Sequence, residues 1–410
     1  MKFIHLSAAP LDATPVQKKN FVNVQIDAIG IGLANAAAPF LPVFLTRLGA
    51  SSFEVGLLTS MPALTGLLLA IPLGRFLQSR RQIVPWFSAA RLMVILCYAI
   101  TGLVTFLIED QHRVNAILFI WAAATLPQTI VAVCFSVVMN AVAGPNHRYE
   151  LMSRRWSILG ITTAVTVAIV GQVLVRIVFP INYQLVFLGL SLGGLISFYY
   201  SSHIALPNKE VQTEIKVVSL WEQVKDYVRL IAGEKAFVNF SLRRFVYIFG
   251  TTLAVPLFPL YYVREIQASD AWIGVFNTAQ YAILLVGYFL WNRESRVRGS
   301  RFVLLWTTFG MALYPALVAV TDRVELIAIY AGLSGIFQAG LDLVFFDELM
   351  KTVPERYSAI FVSLAQSLTY FASILAPLIG TMLADRFGLS AGLFASALVR
   401  LVSFLLFLRQ

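Results

Sequence analysis

The chain has 410 residues, of which 59% are hydrophobic and only 13% are charged. A soluble protein of this length could not bury so much apolar surface, so the composition excludes a soluble enzyme or binding domain and predicts a membrane protein. The formal net charge of +10 is attributed to loops that face anionic lipid headgroups, and the chain offers no soluble basic module that could bind nucleic acid.

Apolar runs of about 20 residues, the length that crosses a hydrocarbon core of about 30 Å, occur twelve times along the chain. In lipid the backbone of each run must satisfy its own hydrogen bonds, so each run predicts a transmembrane helix. The predicted fold class is therefore an all-α polytopic membrane protein. The spans lie near 21–46, 53–74, 83–108, 114–142, 156–180, 183–204, 237–262, 271–291, 302–320, 325–349, 358–384 and 389–408.

The two ends of the chain share residues at a spacing of about 217. The matched pairs are Phe21 and Phe237, Asn23 and Asn239, Asp27 and Arg243, Pro39 and Pro256, and Pro42 and Pro259. Parallel repeats of this kind are typical of secondary transporters, whose site lies between the repeats. The repeat predicts two pseudo-symmetric six-helix bundles, residues 1–205 and 237–410, which are joined by a linker over residues 206–236.

Lysine and arginine concentrate in the amino terminus, in the linker and in every second loop. The alternate loops contain few cations: Arg47, Arg113, Arg264, Arg323 and Arg386. Because positively charged loops are retained on the cytoplasmic side, both termini and the linker are predicted to be cytoplasmic. The chain is expected in the inner (plasma) membrane, in contact with the lipid bilayer.

Asp27 in the first span and Arg243 in the seventh occupy repeat-equivalent positions, and Arg244 follows directly. A charged residue at the centre of a span costs about 2.5–3.5 kcal/mol unless it finds a partner or water. We expect Asp27 to pair with Arg243 or Arg244. Three roles stay open for the pair: a gate latch, part of a substrate or ion site, or a structural ion pair within one half.

Proline residues at matched positions are expected to bend the first and seventh spans, at Pro39 and Pro42 and at Pro256 and Pro259. Such bends would serve an outer gate, although prolines are also tolerated in membrane helices without a special role.

The linker contains an amphipathic pattern, in which apolar residues recur at three- and four-residue spacing from Val217 to Ile231. It predicts a helix that lies along the inner membrane surface. The helix is either a strap that couples the two halves or a passive spacer.

Polar residues form stripes on three later spans, and in lipid such side chains must find partners or water. On the tenth span Ser334, Gln338 and Asp342 share one helical face. The competing interpretation is hydrogen bonding between helices. The residues predicted to line a substrate cavity are Asn35, Gln128, Gln280, Tyr281, Gln338, Asp342, Gln366 and Tyr370.

The loop after the second span reads Gly74-Arg75-Phe76-Leu77-Gln78-Ser79-Arg80-Arg81. It resembles the signature loop of the major facilitator superfamily, except that Gln78 replaces the acidic residue and the second glycine is missing. The superfamily's arginine motif on the fourth span and the Gly-Pro motif of proton-driven drug antiporters on the fifth are also missing, which argues against drug export and proton coupling.

The resemblance covers nearly the whole chain and implies a twelve-helix transporter that alternates between inward-open and outward-open states. It implies gating or coupling roles for Gly74, Arg80 and Arg81. Arg148 and Arg356, which follow prolines in matched loops, are assigned to the same group.

The sequence has no phosphate-binding loop, no metal-binding helix motif and no nucleophile elbow, so we expect neither an enzyme nor a cofactor or metal site. The expected function is secondary transport of a small organic solute by a monomer. Transport would use an ion gradient, carried by a proton or another cation, or run by equilibration. The alternative is a protein of the same fold that does not transport solutes: a scramblase, a sensor or an assembly factor.

Overall fold

The computed structural model describes residues 13–78, 80–144, 148–206, 233–352 and 358–409. Within these ranges the chain is helical and contains no strand. The helices are α1 (Pro15–Asn35), α2 (Phe40–Arg47), α3 (Ser52–Gln78), α4 (Val84–Leu107), α5 (Asp110–Ala143), α6 (Arg148–Arg176), α7 (Ile181–Ser202), α8 (Lys235–Ala254), α9 (Leu257–Arg264), α10 (Asp270–Arg298), α11 (Ser300–Ala319), α12 (Val324–Thr352), α13 (Ser358–Phe387) and α14 (Leu389–Leu408).

Twelve stretches of the described chain are long and apolar enough to cross a membrane, which confirms the predicted number of spans. Many helices extend beyond the predicted apolar runs by a few residues, as α3 and α5 do, because polar residues at a helix end can reach the lipid headgroups. The amphipathic helix that the sequence predicts between Val217 and Ile231 lies outside the described residues.

The first and the seventh spans are each built from two helices. The first is broken between α1 and α2, where Pro39 precedes the second helix, and the seventh is broken between α8 and α9, where Pro256 does so. Proline has no backbone N–H to donate and its ring excludes the carbonyl of the preceding turn, so the helix cannot continue through it unchanged. The matched bends predicted from the sequence are confirmed.

The described chain forms two compact units. Unit 1 contains residues 1–49, 68–213 and 269–278, and unit 2 contains residues 50–67, 214–268 and 279–410. The units follow the sequence repeat except at two matched segments. The amino-terminal part of the second span belongs to unit 2, and the amino-terminal part of the eighth span belongs to unit 1.

The same helix pairs pack inside each unit. In unit 1, α1 packs against α6 and α7, and α4 packs against α5 and α7. In unit 2, the repeat-equivalent α8 packs against α13 and α14, and α11 packs against α12 and α14. This agreement shows that the sequence repeat is also a structural repeat.

Glycine residues allow two of the closest contacts between helices. A Cβ atom at Gly30 of α1 would lie 2.4 Å from the backbone nitrogen of Ser197 in α7, and one at Gly335 of α12 would lie 2.3 Å from the carbonyl oxygen of Gln280 in α10. Small residues let helix backbones approach closely in membranes, where van der Waals packing drives association. The Gly30 contact lies one turn from Asp27, and the Gly335 contact lies one turn from Gln338, so both position polar residues.

Gly30→Leu is expected to destabilise the protein by about 1–3 kcal/mol or more, because the side chain must force α1 and α7 apart. The matched control is Gly189→Leu on α7, where an added Cβ meets nothing within 4 Å. The measurement is the thermal unfolding midpoint of both variants in the same detergent. Equal midpoints for the two variants would show that the Gly30 contact does not limit the packing of α1.

Candidate functional site: a charged cavity in unit 2

Unit 2 contains a partly open cavity of about 400 Å³ between α8, α12 and α13. Its polar lining consists of Arg244, Tyr247, Thr251, Gln338, Asp342 and Gln366, and its apolar lining includes Ile248, Phe345, Phe346 and Met350. The volume suits a small organic molecule, and a few polar groups on an apolar wall are the usual composition of a ligand pocket.

Asp342 is held by two neutral donors. Gln338 donates from Nε2 to Oδ1 at 2.7 Å, and Tyr288 of α10 donates from its hydroxyl to Oδ2 at 2.9 Å. Within the described part of the chain no cation forms an ion pair with this carboxylate. Both oxygens are therefore fixed in direction while the charge stays uncompensated, and each oxygen retains a lone pair that can accept a further hydrogen bond.

Arg244 brings the opposite charge to the same cavity. Its guanidinium carbon lies 5.8 Å from the centre of the Phe345 ring, a distance at which a cation–π attraction operates. The Nε atom is buried and has no hydrogen-bond partner among the described residues. No carboxylate within those ranges forms an ion pair with Arg244, so the cavity presents one cation and one anion that do not pair with each other.

A second arginine lies behind the cavity wall, and sequence reasoning gave it no role. Arg400 of α14 is 2% exposed, and its guanidinium donates to the carbonyl oxygens of Met311 at 2.9 Å and of Thr251 at 3.5 Å. Tyr247 lies within electrostatic reach of both Arg400 and Asp342. Arg400 thus adds positive potential behind Tyr247 and Thr251, although its charged group does not line the cavity.

Three buried charges of unit 1 form a cluster. The carboxylate of Asp27 is fully buried, accepts a hydrogen bond from Arg91 Nη1 and accepts another from the hydroxyl of Ser197 at 2.6 Å. Arg155 Nη2 lies 3.7 Å from its second oxygen. Both arginines are 3% exposed and stack on rings, Arg91 on Phe87 and Arg155 on Phe135.

The partner predicted for Asp27 is therefore wrong. The sequence suggested Arg243 or Arg244, but the structure gives Asp27 the partners Arg91 and Arg155 from the third and fifth spans. Helical periodicity places Asp27 on a face of the first span without showing which neighbouring helix covers that face. Of the three roles left open, a structural ion pair within one half matches this geometry.

Two arginines that the sequence counted only as loop cations make matched contacts. In unit 1, Arg47 donates from Nε to Asp270 Oδ1 at 2.8 Å, and Tyr183 donates to the same oxygen at 2.7 Å. In unit 2, the repeat-equivalent Arg264 donates to the hydroxyl of Ser52 at 3.0 Å. Each arginine ends a broken span and contacts the first turn of another span: Arg47 contacts the eighth span and Arg264 contacts the second.

The structure brings three of the eight predicted substrate residues together at the cavity: Gln338, Asp342 and Gln366. Gln280, Tyr281 and Tyr370 belong to unit 2 but are not among the lining residues, and Tyr370 packs against Gly66. Asn35 and Gln128 belong to unit 1.

Comparisons with known proteins agree with this architecture. Residues 240–410 match the family model described as Major Facilitator Superfamily. The multidrug resistance protein MdtG of Proteus mirabilis is 25% identical over 161 residues, which cover 38% of this chain and 40% of that protein. The chain therefore spans about two fifths of the length of this curated relative.

Solved structures match the whole chain. A bacterial homologue of the human lysosomal transporter Spinster, inward-facing and unoccupied, has a TM-score of 0.72 at 12% identity over 96% of this chain and 97% of its own. A bacterial homologue of the iron transporter ferroportin has a TM-score of 0.70 and an identity of 15%, over 96% of this chain and 98% of its own. The nucleoside transporter NupG has a TM-score of 0.68 and an identity of 12%, over 97% of this chain and 99% of its own.

The second half of the chain is thus similar to the Major Facilitator Superfamily. The twelve spans indicate a multi-pass membrane protein, and the likeness to the solved transporters shows their fold of two pseudo-symmetric six-helix bundles. The low identities to the solved structures show the fold alone.

The superfamily loop after the second span is described only in part. Gly74 lies in α3, and the guanidinium of Arg80 lies 4.2 Å from the ring centre of Phe76 and 5.5 Å from that of Trp86. Arg81 is exposed. Arg148 begins α6, its side chain is not described, and Arg356 lies outside the described residues. The gating roles of these residues stay predictions.

Asp27→Asn is expected to destabilise the protein by about 3–5 kcal/mol, because two buried arginines lose their carboxylate. Adding Arg91→Met to that variant should recover part of the loss, since one buried charge is removed with it. The control is Asp110→Asn, which breaks an ion pair whose carboxylate side chain is 86% exposed. Thermal unfolding in detergent measures all three variants. An Asp27→Asn midpoint equal to that of the control would contradict the structural role.

Proposed function

We propose that the chain is a secondary transporter that moves a small organic solute across the membrane by alternating access. The observation that carries the proposal is the cavity of about 400 Å³ in unit 2, with Asp342 and Arg244 on its wall. Ionisable side chains within membrane spans are costly and mark substrate or ion pathways. The match of residues 240–410 to the Major Facilitator Superfamily and the likeness to solved transporters support the same conclusion.

In this proposal Asp342, Gln338, Gln366 and Arg244 bind the solute. Tyr288 and Gln338 orient the Asp342 carboxylate before the solute arrives, which lowers the ordering cost of binding. The broken first and seventh spans supply the moving gate elements, because a helix interrupted at proline can bend there with little loss of hydrogen bonding. The driving force is an ion gradient or the solute gradient itself.

The matched contacts of Arg47 and Arg264 hold the gate spans in one of their states. Arg47 joins the end of the first span to the first turn of the eighth, and Arg264 joins the end of the seventh span to the first turn of the second. These two first turns belong to the segments that the compact units exchange relative to the sequence repeat. In this proposal the contacts break when the transporter changes state.

Transport can be tested by filling the cavity. Gln366 is exposed and lines the cavity, so Gln366→Trp should occupy space that the solute needs without disturbing the packed core. The control is Leu375→Trp on the same helix, at a position that is 38% exposed and is not a lining residue. Proteoliposomes that contain each protein are incubated with a mixture of metabolites, and the accumulated solutes are identified by mass spectrometry.

The wild-type protein and the Leu375→Trp variant should accumulate at least one solute, and the Gln366→Trp variant should do so at least tenfold more slowly. The same vesicles carry a fluorescent lipid whose movement between leaflets is followed in parallel. Lipid movement without solute accumulation would show a scramblase and would contradict the proposal.

A further inference from the structure

We infer that the cavity of unit 2 takes an amino-acid-like zwitterion with an apolar body, whose ammonium group binds Asp342 and whose carboxylate binds Arg244. This inference rests on the proposed function and names the class of solute.

The two charges of the cavity do not pair with each other, and both line its wall. Arg244 lies against the Phe345 ring, and Phe345 follows Asp342 by three residues on α12. Arg244 and Asp342 both line the cavity, so one bound solute can contact both charged groups. An amino acid carries an ammonium and a carboxylate on one small unit, so it can offer a hydrogen-bond donor to Asp342 and an acceptor to Arg244.

The hydrogen-bonding capacity of the two groups matches these partners. Gln338 and Tyr288 each give one hydrogen bond to the Asp342 carboxylate, and its remaining lone pairs suit the several donors of an ammonium group. The guanidinium of Arg244 binds carboxylates through a planar pair of donors. A solute that carries both an ammonium and a carboxylate group binds Asp342 and Arg244 at the same time.

Solutes with a single charge fit less well. A cation satisfies Asp342 but is repelled by Arg244 and leaves that guanidinium without a partner. An anion satisfies Arg244 but is repelled by Asp342. A charge that remains unpaired after water has been displaced carries a large desolvation cost, and binding sites use such costs to reject the wrong ligand.

The rest of the cavity wall is apolar and favours a solute with an apolar body. Phe345, Phe346, Ile248 and Met350 line the cavity beside the charges. Burial of an aliphatic or aromatic body against these side chains is favourable. Methionine adapts its shape to different bodies, so the site should accept several apolar side chains.

The test uses matched sets of probes with the same body and different charge. Each set contains the free amino acid as the zwitterion, its amide as the cation and its N-acetyl derivative as the anion, for leucine, methionine and phenylalanine. Dissociation constants are measured for the purified full-length protein. For at least one body, the wild-type protein should bind the zwitterion at least tenfold more tightly than either singly charged form.

Two variants separate the contributions of the charges. Asp342→Asn should weaken the binding of the zwitterion and of the amide at least tenfold and should not weaken the binding of the N-acetyl form. Arg244→Gln should weaken the binding of the zwitterion and of the N-acetyl form and should not weaken the binding of the amide. Asp342→Glu and Arg244→Lys retain the charge and should recover part of the affinity. The control variants are Asp347→Asn on α12 and Arg298→Gln on α10, which do not line the cavity.

Failure of all three zwitterions to bind, or equal affinity for the three charge forms, would overturn the inference. The failure of the inference and that of the proposed function are distinguishable in the metabolite experiment. If the protein accumulates only solutes with a single charge or none, the inference is wrong while the transport function stands. If the protein accumulates no solute at all, the transport function itself is wrong.

Discussion

The free-energy cost of a charged group in hydrocarbon is the constraint on which this structure depends. The two units meet that constraint differently. Unit 1 closes its charges into a cluster, in which Asp27 is shared by Arg91 and Arg155 and all three side chains are at most 3% exposed. Unit 2 leaves Asp342 and Arg244 apart on the wall of one cavity. The three charges of the cluster in unit 1 pair with one another, whereas the two charges in unit 2 are available to a ligand.

The difference between the units is informative because their helices pack in the same pattern. The first span of each repeat is interrupted at proline and ends in an arginine that contacts the start of another span. The backbone plan is thus duplicated, while the charged residues have diverged: the position of Asp27 in the first repeat corresponds to Arg243 in the second. Divergence of side chains on a duplicated scaffold is how one repeat can acquire a binding site that the other lacks.

The sequence predicted those features that depend on one helix or on the repeat. The twelve spans follow from apolar length, and the bends follow from Pro39 and Pro256. The stripe of Gln338 and Asp342 follows from helical spacing. The sequence failed where the answer depends on neighbouring helices, since periodicity identifies a face but not its partner. Asp27 was given the wrong partner for this reason, and the burial of Arg400 behind the cavity was missed. Arg47 and Arg264 were treated as loop charges because a sequence shows where a span ends and not what the end contacts.

The central claim is that a transported solute occupies the cavity of unit 2, and protection of a single cysteine tests it most directly. Cys97 and Cys134 are replaced by alanine, and cysteine is introduced at Gln366 in one protein and at Leu375 in another. The rate of alkylation by a small charged maleimide is measured with and without a solute that the protein accumulates. The account predicts that the solute slows alkylation at position 366 at least severalfold and leaves position 375 unchanged. Equal rates at position 366 with and without a saturating solute would contradict it.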